Sequence, residues 1–105
     1  MIKRVKKRYV AFSSEPKASP NVLFKAILSS YRELFGITGL ASADLKPAKS
    51  YQEKGVVIVR CVLTFVPHLL LAASSITSLN GNRAAVRALA ISGTMKRIKE
   101  KVGSV

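Results

Sequence analysis

Lys3, Arg4, Lys6, Lys7 and Arg8 crowd five cationic side chains into six positions near the N-terminus. Lys96, Arg97, Lys99 and Lys101 repeat the pattern near the C-terminus. Ammonium and guanidinium groups at that density do one kind of chemistry. They hold polyanions, by direct attraction and by releasing the counterions that polyanions carry. The chain as a whole has 18 Lys and Arg against five Asp and Glu, a formal net charge of +13. A surface that only keeps a protein dissolved needs no such excess, so a polyanion site is the stronger reading. Charge alone does not separate RNA from DNA or from an anionic membrane.

The groups that catalyse are absent or scattered. His68 is the one histidine and Cys61 the one cysteine, so neither an internal disulfide nor a Cys/His metal site can be assembled. Cys61 lies in an apolar run and reads as a buried small hydrophobe. His68 stands alone near a helix start, as a surface or packing residue does. Glu15, Glu33, Asp44, Glu53 and Glu100 are spread over separate segments and form no paired-carboxylate site. Gly81 and Gly93 suit a turn and a cap, not a phosphate loop. The expectation is a chain with no catalytic residue, no metal and no cofactor of its own.

The elements that must position the cations follow from pattern. The length of 105 residues fits one domain, 1–105. Residues 5–14 read as a strand centred on Tyr9–Phe12. Ser19 followed by Pro20 starts a helix, with Leu23, Phe24, Ile27, Tyr31, Leu34 and Phe35 at helical spacing and Gly36 placed to end it. A weak second strand spans 43–51, and Pro47 confines it to a sheet edge. Val56–Leu63 is the third strand. A second helix runs from about Val66 to Leu79, and "NGN" at 80–82 ends it. Arg83–Ile91 is the fourth strand, and a short basic helix covers Met95–Lys101. The order β-α-β-β-α-β plus a terminal helix is the ferredoxin-like, RRM-like split βαβ α/β sandwich, with strand order 4-1-3-2. The longest apolar stretch, around 61–73, is interrupted by Thr64, Pro67 and His68 and is too short to span a bilayer. No signal peptide is legible, so a cytoplasmic location without a membrane partner is expected.

In that strand order the start of strand one lies beside the end of strand four. The two basic clusters therefore merge into one patch. Lys3, Arg4, Lys6, Lys7, Arg8, Lys96, Arg97 and Lys99 are the candidate polyanion-binding residues, RNA-binding if the polyanion is RNA, with Arg60 and Arg87 added from within strands. The third strand, "KGVVIVRC" with its continuation, is apolar on both faces. Val56, Ile58 and Val62 point one way, and Val57, Val59, Cys61 and Leu63 the other. A half-exposed antiparallel strand alternates instead. The second helix is apolar around most of its circumference. The short, charged terminal helix covers little, so Val56, Ile58, Val62, Leu70 and Leu71 are candidate protein-interface residues. "KGVVIVRC" also starts like the signature octamer of an RNA-recognition strand, yet its aromatic positions hold Val56, Ile58 and Cys61. Base stacking on that strand is not expected.

Four stretches carry a resemblance: "KKRYVAF", "ELFGITGLASADL", "KGVVIVRC" and "ALAISGTMKRIKEK". Their order and spacing resemble the ribonuclease P protein component 2 family, the small subunits of archaeal ribonuclease P with a eukaryotic counterpart shared with ribonuclease MRP. The "SGT" before a basic helix and the "RC" of strand three are the most specific parts. The resemblance implies an RRM-like fold and a role in removing the 5′ leader from precursor tRNA. It implies that the RNA subunit is the catalyst, using bound Mg²⁺, and that the partners are this RNA and component 3, a TIM-barrel-like subunit, in pairs that can form a two-plus-two heterotetramer. A rival of another class is a basic structural RNA-binding protein of the ribosome or another ribonucleoprotein. A small-molecule regulatory domain of the same fold fits less well, given the charge and the lack of a glycine-rich first loop.

Overall fold

The computed structural model describes residues 6–103. Lys3 and Arg4 lie outside the described residues. Strand β1 (Lys7–Glu15) leads into helix α1 (Pro20–Ala43). The helix starts where the sequence puts it. The Ser19 hydroxyl accepts a hydrogen bond from the Val22 amide at 3.3 Å, and Pro20 occupies the first turn. Leu23, Ile27 and Tyr31, four residues apart, are buried on one stripe. Gly36 does break the helix, with φ 75° and ψ 176°, but helical turns resume and run to Ala43. "LASA" is compatible with helix, and Leu40 and Ala43 still pack on the core. Leu34, placed on the apolar stripe by spacing, is instead 47 % exposed beside the break.

Strand β2 (Lys46–Tyr51) pairs with β3 (Val56–Val62), and β3 with β1. A short 3₁₀ turn (Leu63–Phe65) precedes helix α2 (Val66–Ser74), which is five residues shorter than its apolar run predicts. The Ser74 and Ser75 hydroxyls both donate to the Leu71 carbonyl, at 3.0 and 2.8 Å, and end the helix. Strands β4 (Ser78–Leu79) and β5 (Asn82–Arg83) then form a miniature hairpin. Its two-residue loop is Asn80–Gly81, with φ of 51° and 80°. Asn-Gly is the pair that such a turn selects, so "NGN" marks a hairpin and not a helix end. Strand β6 (Ala85–Ser92) and helix α3 (Met95–Gly103) complete the described chain.

The four-stranded sheet is antiparallel with order β2-β3-β1-β6, the ferredoxin-like arrangement, and β2 is its edge. Helices α1 and α2 cover one face. Val10, Phe12, Val57, Val59 and Cys61 meet Leu23, Ile27, Tyr31 and Leu69 there. Helix α3 covers part of the other face. Val56, Ile58 and Ala11 form a second cluster with Ile98 and Val102, all 2 % exposed or less, and Met95 packs against it. This corrects the expectation that a charged terminal helix covers little. Met95, Ile98 and Val102 are spaced by three and four, which gathers the apolar side chains on one stripe and leaves the charges outside. Two lysines fix the helix further. Lys54 Nζ donates to the Val102 carbonyl at 3.1 Å, and Lys101 Nζ to the Ile91 carbonyl at 2.9 Å. No helix among the described residues is long and apolar enough to cross a membrane.

Candidate nucleic-acid interface

Strand pairing brings Tyr9 of β1 opposite Ser92 of β6, and α3 begins three residues after Ser92. The cationic start of β1 therefore meets the cationic α3. Arg8 lies against the turn that leads into α3. A methyl group placed on Gly93 would stand 3.3 Å from Arg8 Nη1, so a side chain there would crowd the guanidinium. Arg8 Nη1 donates to the Lys7 carbonyl at 3.1 Å. Lys6 is exposed, as are Lys96, Arg97 and Lys99 on the outer side of α3. The first turn of α3 is closed by Thr94, whose hydroxyl accepts from the Arg97 amide at 3.3 Å. Lys6, Arg8, Lys96, Arg97 and Lys99 thus belong to one end of the fold.

Two of the candidate cations are engaged elsewhere. Lys7 Nζ lies 3.2 Å from Asp44 Oδ2, and Lys46 Nζ lies 3.9 Å from Asp44 Oδ1. The Lys7 hydrogen bond, with the charges of Lys46, Lys7 and Arg60, holds the Asp44 carboxyl below the ordinary carboxylate range against the opposing effect of burial. Arg87 is paired in register with Ser13, toward the far end of β1, and faces Glu15 at 3.9 Å. The sheet does not bring Arg87 to the α3 cluster.

Arg60 occupies a different setting. Register places Lys46 of β2, Arg60 of β3 and Tyr9 of β1 in one row across three adjacent strands. Directly opposed residues share a face with side chains about 4.5–5.5 Å apart at Cβ. The row borders a recess of about 260 Å³ lined by Tyr9, Lys46, Pro47, Ala48, Arg60 and Met95. Arg60 Nε is buried and has no hydrogen-bond partner among the described residues. The aromatic on this face comes from Tyr9 of β1 and not from β3. The available signal was parity: Val10 and Phe12 face the helices, so Tyr9 faces the other way.

The candidate protein-interface residues divide. Val56 and Ile58 are sealed beneath α3 and offer no free surface, because Ile98 and Val102 occupy that face. Val62 and Leu70 are half-buried. Leu71 is 53 % exposed, and on α1 two further apolar residues are exposed: Leu34, which spacing assigns to the buried stripe, and Ile37, which periodicity does not single out. His68 packs its ring edge-on against Phe35 with centroids 4.7 Å apart, a packing role. Cys61 is buried, and burial, aided by the Asp44 charge, pushes its thiol up to about 11. Among the described residues no three His, Cys, Asp or Glu side chains group as metal ligands do.

Comparison with known proteins decides the family. The model of the Rpp14/Pop5 family matches residues 8–103. This chain belongs to the Rpp14/Pop5 family. Ribonuclease P protein component 2 of Methanosarcina mazei is 36 % identical over 100 residues, covering 93 % of this chain and 84 % of that protein. The component 2 of Pyrococcus furiosus is 32 % identical over 100 residues, covering 93 % and 83 %. Among solved structures, a chain of the cryo-EM structure of yeast ribonuclease MRP superposes with a TM-score of 0.64 at 11 % identity. The superposition spans 99 % of this chain and 96 % of that one and supports the fold. Within the family match lie the "RC" of β3, the "SGT" ahead of α3 and every described basic residue named above except Lys6 and Lys7.

Proposed function

We propose that this chain is a protein subunit of ribonuclease P. In this reading it supports the catalytic RNA that removes the 5′ leader from precursor tRNA, works in the cytoplasm and does no bond-breaking itself. The chemistry belongs to Mg²⁺ ions held by the RNA, which activate water. The observation that carries the reading is the meeting of the β1 start and α3 in a chain whose relatives are named ribonuclease P protein component 2. Lys6, Arg8, Lys96, Arg97 and Lys99 contact phosphates there, joined by Lys3 and Arg4, while Arg87 acts apart from them. These contacts offset repulsion between RNA strands and lower the Mg²⁺ that folding of the RNA requires. The exposed apolar residues Leu71, Leu34 and Ile37, with the half-buried Val62 and Leu70, serve the protein partner, the TIM-barrel-like component 3, in a two-plus-two assembly.

The test is cleavage of precursor tRNA at low Mg²⁺ by ribonuclease P RNA and component 3, with and without this chain. Addition of the chain is expected to switch on 5′ processing. RNA binding should weaken by roughly 0.7–0.9 log units per log unit of salt for each phosphate neutralised. Unchanged cleavage alongside persistent RNA binding refutes the proposal and favours a structural protein of another ribonucleoprotein.

A further inference from the structure

One part of the sheet's second face is left uncovered. Helix α3 sits over Val56, Ile58 and Ala11 and leaves the row Lys46–Arg60–Tyr9 open beside Met95. We propose that this recess holds one unpaired nucleotide of an RNA, with its phosphate on Arg60 and Lys46 and its base against Tyr9. The inference rests on the RNA-subunit reading and adds to it a base-holding site apart from the phosphate patch on α3.

Three observations support the site. First, a guanidine nitrogen pays a desolvation cost when buried without a partner, and Arg60 Nε is in that state. Arg60 also lines the recess, so an anion there sits beside its side chain. Second, the charge is right for an anion. Lys7, Lys46 and Arg60 gather around the single carboxylate of Asp44, which leaves an excess of positive charge. The Lys46 side chain is 58 % exposed and 3.9 Å from that carboxylate, beyond hydrogen-bond reach, so it is free to turn to a phosphate. Third, the non-ionic lining is Tyr9, Met95, Pro47 and Ala48, an aromatic and apolar set that suits a flat, poorly solvated base. A cavity of about 260 Å³ is small beside the sites that enclose drug-sized ligands, which fits one nucleotide and not a stacked run. A duplex cannot present a splayed base, so the nucleotide comes from a loop, bulge or single strand.

The experiment uses the full chain and a fluorescent hexauridylate as probe, with heteronuclear NMR on the same complex. Binding is expected to shift the Arg60 Nε–Hε signal and the Tyr9 ring protons. Tyr9→Ala should weaken the probe by about 5- to 150-fold, the range that loss of one stacked base gives, while Tyr9→Phe should bind like the parent. Amide spectra confirm that each variant is folded. If Tyr9→Ala unfolds the chain, the wild-type ring and Nε–Hε shifts decide the question alone. Shifts confined to Lys96, Arg97 and Lys99, with equal affinity for Tyr9→Ala and the parent, would falsify the nucleotide site and leave the phosphate patch standing. Absence of any shift, with no binding even at low salt, removes both this site and the RNA reading beneath it.

Discussion

Ile98→Ala tests whether α3 is an integral layer of the fold. Ile98 is fully buried against Ala11, Val56, Ile58 and Val102. The substitution deletes three carbons at about 0.8 kcal/mol each, and the space left between α3 and β3 adds a cavity cost, for a loss of about 3 kcal/mol. That is a large share of the roughly 5–15 kcal/mol that stabilises a domain. The loss has a ceiling, because α3 is held by one apolar stripe and the two lysine–carbonyl bonds from Lys54 and Lys101. Once docking energy is spent, the helix leaves as a unit. Urea unfolding followed by circular dichroism reads both terms. The midpoint should fall, and undocking before the main transition should lower the apparent m-value. Lys99→Ala, on the exposed side of the same helix, should stay within about 0.5 kcal/mol of the parent. A loss below about 1 kcal/mol for Ile98→Ala, with an unchanged m-value, would refute the burial of this stripe.

Three other perturbations follow from local geometry. Gly55 has φ +65°, and a Cβ there would lie 2.6 Å from Lys17 Cγ and 3.1 Å from the Ala18 carbonyl. Gly55→Ala should cost about 2 kcal/mol and lower the melting temperature by about 10 °C, and a drop under about 2 °C would show that the loop yields freely. Asp44 titrates low chiefly through its hydrogen bond to Lys7, so its stabilisation is present above the unfolded carboxylate pKa and is lost as pH falls through the lower folded value. Lys7→Ala should move the Asp44 carboxyl resonance titration upward, and an unmoved titration would rule out that cause. Cys61 has its thiol raised to about 11 against an ordinary 9.0, so its contribution is complete below about pH 9 and fades toward pH 11. Between those values the parent should lose about 2 kcal/mol more than Cys61→Ala, and a constant gap between the two contradicts it.

The fold was legible because its signals are local and mutually consistent. Ser19–Pro20 starts α1, Pro47 keeps β2 at the edge, and the β-branched run at 56–62 forms β3. The errors came where one pattern served two outcomes. The apolar run after Val66 predicts helix to Leu79, but hydroxyl capping at Ser74 and Ser75 and the Asn80–Gly81 turn divide it. Charge density hid the apolar stripe of α3, which occupies three of its positions. Meeting of the β1 and α3 cations followed from strand order alone. The Lys46–Arg60–Tyr9 row did not, since it depends on cross-strand register, and Pro47 precedes a register shift that no local signal places.

On the proposed RNA-subunit reading, helix α3 couples folding to binding. Its inner stripe closes the sheet, and its outer side supplies Lys96, Arg97 and Lys99 to the basic patch. An RNA held by the outer side contacts the docked helix and not the undocked one, so it stabilises docking by mass action. At a hundred times its dissociation constant that effect is about 2.7 kcal/mol, close to the loss expected for Ile98→Ala. Saturating RNA at low salt should therefore return Ile98→Ala to nearly the melting temperature of the unliganded parent. Screening of exposed charges should cancel the rescue at 1 M salt, where the Debye length is about 3 Å. A rescue that persists at high salt would mean that the RNA is held by something other than the charges on α3. No rescue at low salt, with binding intact, would mean that the bound surface lies away from α3 altogether.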